Sequence, residues 1–158
     1  MGVMTSTDDA ITSPDIVTLD LTTGDDARQV IESLAGLLGS AGRVTDVGSF
    51  VESVMQREAL GSTALPGGIA IPHARSAAVA APSVAVARLA APMSFAEGKP
   101  AVDVVLLIAA PDEDPDLYLR LLSKLAGACV QSSFRTSLRT ATTPTEVAAV
   151  VARAVGRP

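Results

Sequence analysis

The residue in this sequence best suited to chemistry is His73, its single histidine. It follows Pro72 and stands between a glycine-rich stretch, 61–68 (GSTALPGG), and a run of small residues. Pro72 disfavours helical geometry at Ile71, and loops often present side chains to partners, so we expect the ring to point outward. A neutral imidazole is a nucleophile near pH 7 because its ordinary pKa is about 6.5. Such a ring can accept a phosphoryl group, although the residues alone also allow an ordinary loop histidine.

Residues with phosphoryl-binding groups occur on the N-terminal side of His73. Arg57 stands near the end of a predicted helix, where its guanidinium could hold phosphoryl oxygens or simply be solvated beside Glu58. The hydroxyls of Ser62 and Thr63 could donate hydrogen bonds to the same oxygens, or only shape a turn. These residue types suit phosphoryl transfer, in which catalysis consists mainly of positioning and charge neutralisation.

The backbone around the glycines offers a further way to bind an anion. N–H groups at 67–68 and 73–74 could form a small anion-binding nest, and the alternative is a plain glycine turn. Arg75, two residues after His73, could contact a phosphate or an acidic partner, or remain a solvated loop charge. All of these groups flank the same histidine.

The sequence gives little support to other kinds of site. Cys129 is the single cysteine, which excludes an internal disulfide and a multi-cysteine zinc site. Its place on the apolar stripe of a predicted helix indicates a small core residue. The acidic run 112–116 (DEDPD) lacks the glycine and the distal glutamate of a calcium loop. We therefore expect neither a metal nor a cofactor.

Charge and hydropathy exclude two classes of partner. Lys and Arg number 12 against 17 for Asp and Glu, a net charge of −5 with no basic block, so nucleic-acid binding is not expected. The longest apolar run, 104–110, has seven residues, whereas a membrane helix needs about 20. The polar N-terminus has no signal-peptide pattern. We predict a cytoplasmic protein with no direct membrane span.

The 158 residues suit a single domain, with a flexible N-terminal tail over 1–15 and the domain over 16–155. Alternating or continuous apolar runs predict strands at 16–21, 83–91 and 102–110, with a very short run at 69–71. Helical spacing follows Asp26 and the predicted N-cap Asp46, and three more helices begin near 116, 132 and 144. This order places a sheet between helices.

One stretch of the sequence is similar to a known signature. Residues 57–75 (REALGSTALPGGIAIPHAR) resemble the motif of the fructose/mannitol-type IIA domain of the bacterial sugar phosphotransferase system, which runs approximately R-E, S/T-T, G-N-G-I-A-I/V-P-H-G/A. The segments 102–110 and 121–126 (LLSKLA) also resemble the family. The likeness extends over about residues 16–155.

The resemblance implies an α/β fold with a mixed β-sheet sandwiched by helices on both faces in a single domain. It implies a phosphotransferase in which His73, as a tele-phosphohistidine, takes a phosphoryl group from the phosphocarrier HPr. The group would pass to a cysteine of a IIB domain and indirectly to sugar at a IIC permease. Arg57 would be the second catalytic residue. Four further residues would stabilise the phosphoryl group: Ser62, Thr63, Gly68 and Tyr118.

Two departures from the family pattern concern the site itself. The triplet 66–68 (PGG) stands where the family often has G-N-G. Tyr118, five residues before Ser123, stands where the family commonly has a second histidine. A phenol can donate a hydrogen bond to a phosphoryl oxygen or an imidazole nitrogen, but it does not carry a proton at neutral pH as histidine does. The alternative is that the ring only packs at the rim of the site.

The motif style and the acidic loop are most similar to fructose IIA domains, so fructose is the predicted sugar. A second hypothesis is a regulatory, nitrogen-type module that binds partners according to the phosphorylation state of His73. A third is that His73 is inert and the domain is a scaffold.

Overall fold

The computed structural model describes residues 10–22 and 26–156, and folds them into one β-sheet between two layers of helices. A short 3-10 helix, Pro14–Ile16, precedes the first strand. The strands are β1 (Val17–Leu21), β2 (Ala64–Leu65), β3 (Ile69–Ala70), β4 (His73–Ser76), β5 (Ser83–Ser94) and β6 (Ala101–Pro111). The helices are α1 (Ala27–Ser40), α2 (Val47–Leu60), α3 (Pro115–Cys129), α4 (Ser132–Thr140) and α5 (Pro144–Val155).

The sheet is mixed, and β6 lies at its centre. The strand order is β1-β5-β6-β3-β2, and β4 also pairs with β6. β5 runs antiparallel to β6, whereas β3 and β4 run parallel to it. β6 is buried from Val104 onward on both faces, in agreement with its near-continuous apolar sequence.

Each face of the sheet packs against its own helices. One core contains apolar residues of α1 and α2, among them the fully buried Phe50. The other contains apolar residues of α3, α4 and α5, with Leu125 and Val151 fully buried. The predicted fold class, a mixed sheet sandwiched by helices on both faces in one domain, is therefore confirmed.

The helix starts follow local capping chemistry. The side chains of Asp26, Asp46, Asp114 and Thr143 each accept a hydrogen bond from the backbone N–H three residues on, which satisfies a donor that the first turn leaves unpaired. The predicted cap Asp46 is thus confirmed. Residues 23–25, which include part of the predicted start of α1, lie outside the described residues. No helix in the described ranges combines the length and apolarity needed to cross a bilayer.

β3 and β4 form one interrupted strand along the same edge of β6. Ile69 pairs with Val104 and His73 with Ile108, so both segments keep the same register. Pro72 separates them because it has no N–H for the ladder, yet its carbonyl still accepts a hydrogen bond from Ile108 N–H at 3.0 Å. This continuity makes His73 a strand residue rather than a loop residue.

The N-terminal boundary needs a correction. The predicted tail falls partly on residues 1–9, which lie outside the described residues, but 10–15 pack onto the domain. The Ile11 carbonyl accepts a hydrogen bond from Val84 N–H at 2.8 Å. The guanidinium of Arg43, which is buried, donates to the Ala10 carbonyl at 2.9 Å. A buried cation needs such acceptors, so the folded part begins before residue 16.

Candidate functional site

His73 is a buried residue of β4, with 4% of its surface exposed. The expectation of an outward-pointing loop histidine is therefore wrong for the ring as a whole. The reason is the register: successive strand residues face opposite sides, so His73 faces the layer of α3 together with Ile71, whereas Ala74 packs into the core of α1 and α2. Tyr118 of α3 then covers the ring, with the two ring centroids 5.8 Å apart.

The two nitrogens of His73 have different surroundings. Nδ1 lies 2.7 Å from the carbonyl oxygen of Ile71. A carbonyl can only accept, so Nδ1 carries the proton and Nε2 carries the lone pair. Nε2 bonds to no described residue, and among the described residues the one fully enclosed side-chain nitrogen or oxygen without a partner is Thr12 Oγ1. The Nε2 lone pair is therefore not used by any hydrogen bond within the described part of the protein.

The surroundings of His73 favour the neutral imidazole. Burial is the largest influence and lowers the pKa of His73 below its ordinary value of 6.5. The hydrogen bond to Ile71 acts in the opposite direction, the positive charge of Arg57 lowers the pKa further, and Glu58 raises it. At neutral pH the Nε2 lone pair is thus available for attack on phosphorus.

This lowered pKa predicts a characteristic pH dependence. The rate of phosphoryl acceptance should stay constant from about pH 8 to about pH 6.5 and fall only at lower pH, as the imidazole takes up a proton. The unfolded chain binds that proton first, so the free energy of unfolding should decrease as pH falls below about 6.5. Titrating the single histidine by NMR beside the transfer rate checks the first statement, and denaturant titrations at several pH values check the second. A midpoint above 6.5 in the NMR titration or in the rate profile would contradict the lowered pKa.

Tyr118 and Arg75 form the rim of the site beside His73. The Arg75 guanidinium carbon lies 5.7 Å from the centroid of the Tyr118 ring, within cation–π range. Arg75 also donates a hydrogen bond to the Asp112 carbonyl at 3.1 Å. Burial is the largest influence on the phenol and raises the pKa of Tyr118, so the hydroxyl keeps its proton. It donates to no described residue, which leaves it available as a hydrogen-bond donor.

Arg57 approaches the site from the last turn of α2. One terminal nitrogen donates to the Gly61 carbonyl at 2.9 Å. Its positive charge lowers the pKa of both His73 and Tyr118. Within the described ranges this is the one hydrogen bond of the Arg57 side chain, so most of its five donors are available to an incoming anion.

The two hydroxyls predicted to contact the phosphoryl group differ in their partners. Ser62 is half-buried, and its oxygen accepts from Ala64 N–H at 3.1 Å, which leaves the hydroxyl proton available. Thr63 is buried, and its hydroxyl donates to the carboxylate of Glu58. Glu58 also accepts from Thr63 N–H at 3.3 Å. The Thr63 proton is thus already used within the protein.

The structure separates Gly68 from His73. Four residues lie between them, and the five steps of extended chain from one to the other span about 16 Å. The Gly68 carbonyl accepts from Asp103 N–H and Val104 N–H. Its φ of +86° explains the glycine, and an added Cβ would lie 2.6 Å from Arg139. Gly68 lies in a turn beside Asp103 and Arg139 and does not line the imidazole.

Cys129 is a core residue, as its spacing predicted. It is 1% exposed, and burial raises the pKa of its thiol to about 11. A thiol in that state is a poor nucleophile.

Comparisons with known proteins agree with this geometry. A family model described as "Phosphoenolpyruvate-dependent sugar phosphotransferase system, EIIA 2" matches residues 10–154. The chain is 36% identical over 123 residues to the 2-O-alpha-mannosyl-D-glycerate-specific EIIABC component of Escherichia coli K12, covering 76% of this chain and 19% of that protein. It is 36% identical over 129 residues to the fructose-specific EIIA component of Haloferax volcanii, covering 79% and 82%.

A solved structure shows the same fold. The nitrogen regulatory protein IIA-Ntr from Neisseria meningitidis superposes with a TM-score of 0.80 at 31% identity, covering 90% of this chain and 97% of that one. The present chain spans about a fifth of the E. coli component. EIIA domains are phosphotransferases with a phosphohistidine intermediate. Since the family match extends over nearly the whole chain, this protein belongs to the EIIA 2 family of the phosphoenolpyruvate-dependent sugar phosphotransferase system and is an EIIA-type phosphotransfer domain.

Proposed function

We propose that His73 carries the phosphoryl group and that its Nε2 is the acceptor atom. The observation that carries the proposal is the hydrogen bonding of the ring: Nδ1–H is bonded to the Ile71 carbonyl, and Nε2 has no hydrogen-bond partner among the described residues. A neutral ring held in one tautomer is a prepared nucleophile. Arg57 and the Tyr118 hydroxyl are the proposed donors to the phosphoryl oxygens.

The proposed donor is the phosphohistidine of HPr. The Nε2 lone pair forms a new N–P bond while the N–P bond of the donor breaks, and its electron pair returns to the donor imidazole. In the second step a cysteine thiolate of a IIB domain attacks the phosphorus, and the electron pair of the N–P bond returns to Nε2. Because the same Nε2 accepts the phosphoryl group and then gives it up, both partners must approach this nitrogen in turn.

The proposal extends to the molecule that finally receives the phosphoryl group. We propose a sugar taken up through a IIC permease, with fructose as the first candidate, supported by the likeness to the fructose-specific EIIA of Haloferax volcanii. The equal identity to the mannosylglycerate-specific component makes 2-O-alpha-mannosyl-D-glycerate the comparison substrate. Phosphorylation of each sugar by membranes that contain the cognate IIB and IIC domains distinguishes them.

A second candidate function is supported by the superposition on IIA-Ntr. In that function His73 is still phosphorylated, but the domain binds regulatory partners according to its phosphorylation state and feeds no permease. A phosphoryl group adds about −1.5 to −2 charges beside Arg57 and Arg75, which can change the affinity for a partner. Transfer to a IIB cysteine supports the first function, and its absence from a fully phosphorylated domain supports the second.

The test of the common step is direct labelling. The protein is incubated with enzyme I, HPr and labelled phosphoenolpyruvate, and the label is located by peptide mapping. We expect an acid-labile, base-stable label on the peptide that contains His73. No label, or label on another residue, would contradict the proposal.

The role of Tyr118 makes a separate prediction. Tyr118→Phe keeps the ring that packs 5.8 Å from His73 but removes the hydroxyl, so we expect phosphoryl transfer to slow about tenfold, the effect of one lost hydrogen bond in the transition state. Tyr118→His restores a donor and should transfer faster than the phenylalanine variant. Rapid-quench transfer rates measure both, and a phenylalanine variant as fast as the parent would show that the ring only packs.

A further inference from the structure

A chain of hydrogen bonds connects the end of α2 to the imidazole. The carboxylate of Glu58 accepts from both the N–H and the hydroxyl of Thr63. The Thr63 carbonyl accepts from Ile71 N–H at 3.2 Å. The Ile71 carbonyl in turn lies 2.7 Å from His73 Nδ1. The first link consists of two hydrogen bonds and each of the others of one, and together they lead from a charged side chain to the proton that fixes the tautomer of His73.

The elements around this chain are short and depend on it. β2 has two residues and, within the described part of the chain, pairs with β3 alone; β3 also has two residues. The contact between Thr63 and Ile71 continues this small ladder by one pair. On the other side of Ile71, the Pro72 carbonyl is fixed by Ile108 N–H at 3.0 Å. Ile71 is therefore held between the centre of the sheet and a strand that is secured at Thr63 by Glu58.

We propose that Glu58 is a positioning residue for phosphoryl transfer: through Thr63 it holds Ile71, whose carbonyl keeps His73 in the Nδ1–H tautomer with Nε2 as the acceptor. Glu58 does not touch the phosphoryl group, and Thr63 acts through its backbone and through its bond to Glu58. The inference rests on the proposed function of His73. It also gives the buried Thr63 hydroxyl a role other than contact with the phosphoryl group.

The charge of Glu58 predicts in which direction the pKa of His73 changes when the carboxylate is removed. The carboxylate raises the pKa of His73, against the larger lowering by burial. Its removal should therefore lower the pKa of His73 further. Partial unfolding would do the opposite, because a solvated histidine titrates near 6.5. If a variant is slow because the Glu58 charge is lost, the pKa of His73 should fall. If it is slow because the protein is partly unfolded, that pKa should rise.

The experiment combines NMR of the single histidine with transfer kinetics in the full chain. Nitrogen-15 shifts of His73 report the tautomer, and rapid-quench labelling reports the transfer rate. For Glu58→Gln and for Thr63→Val we expect a measurable fraction of the Nε2–H tautomer and transfer about tenfold slower, the usual size of an outer-contact effect. The double variant should be no slower than either single one, because both changes break the same chain. Thr63→Ser keeps the hydroxyl and should restore the rate.

Glu52→Gln is the matched control, since Glu52 is an exposed carboxylate on the same helix whose partner is Arg28. It should leave the tautomer, the pKa of His73 and the rate unchanged. An unchanged tautomer and rate in both Glu58→Gln and Thr63→Val would overturn the proposal. So would a rate loss in Thr63→Val that Thr63→Ser does not restore. If the unmodified protein takes no label, the proposed function fails instead, and the tautomer measurement still tests Glu58.

Discussion

Replacing His73 with asparagine is expected to abolish phosphoryl acceptance while the domain stays folded. The asparagine amide can donate to the Ile71 carbonyl as Nδ1 does now, so the buried acceptor keeps a partner. The variant has no nucleophilic nitrogen in place of Nε2. We expect no label above background from enzyme I, HPr and labelled phosphoenolpyruvate, a loss of at least about 10⁴-fold, as when a nucleophile is removed from an enzyme.

The alanine variant provides the structural comparison. His73→Ala should also take no label, but it leaves the Ile71 carbonyl without its donor in a buried place, a loss of about 1–3 kcal/mol in the free energy of unfolding. Asparagine should therefore be the more stable of the two in denaturant titrations. Label that persists in a folded His73→Asn protein would show that another residue accepts the phosphoryl group.

The elements with strong local signals could be predicted from the sequence. α2 and α5 begin at side-chain caps, Asp46 and Thr143, that act on their own first turns. β6 could be predicted because a long β-branched run is stable only where both faces are covered. In each case the sequence signal lies within a few consecutive residues, even where, as for β6, the contacts that satisfy it come from distant elements.

The burial of His73 could not be predicted in this way. β4 is short and contains small residues, and it is a strand only because it pairs with Ile108 and its neighbours in β6. Tyr118, which covers the ring, comes from a helix far along the chain. Tertiary pairing thus overrides a local pattern that is typical of a loop.

Gly68 shows the same limit in a different form. A glycine at this position is compatible with two roles, part of an anion-binding nest or a residue with positive φ, and the sequence does not distinguish them. The structure shows the positive φ, +86°, with Arg139 close to the position of an added Cβ.

The contact of Glu58 with Thr63 could not be predicted from the sequence either. A glutamate at a helix end usually indicates solvation, and this contact depends on how the chain turns after Gly61.

Arg57→Ala is expected to reduce kcat/KM for phosphoryl transfer by about 10²–10³-fold, the effect of removing one prepared donor from a site that stabilises developing charge. The guanidinium has one described partner, the Gly61 carbonyl, so its other donors can meet the phosphoryl oxygens. Arg57→Lys keeps the charge but not the forked donor geometry, and it should lie between the parent and the alanine variant. The pKa of His73 should rise in Arg57→Ala, because the arginine charge now lowers it.

Arg153→Ala is the matched control, because Arg153 also stands in the last turn of a helix, α5, and is exposed. Both changes remove a favourable charge from a helix C-terminus, worth about 0.3–1 kcal/mol, so the two variants should lose similar stability. If Arg57 acted only on its helix, the two would also transfer phosphoryl groups at similar rates. A large loss confined to Arg57→Ala, with a raised pKa of His73 in NMR titration, would instead assign its guanidinium to the transition state. Equal rates in the two variants would remove Arg57 from the site.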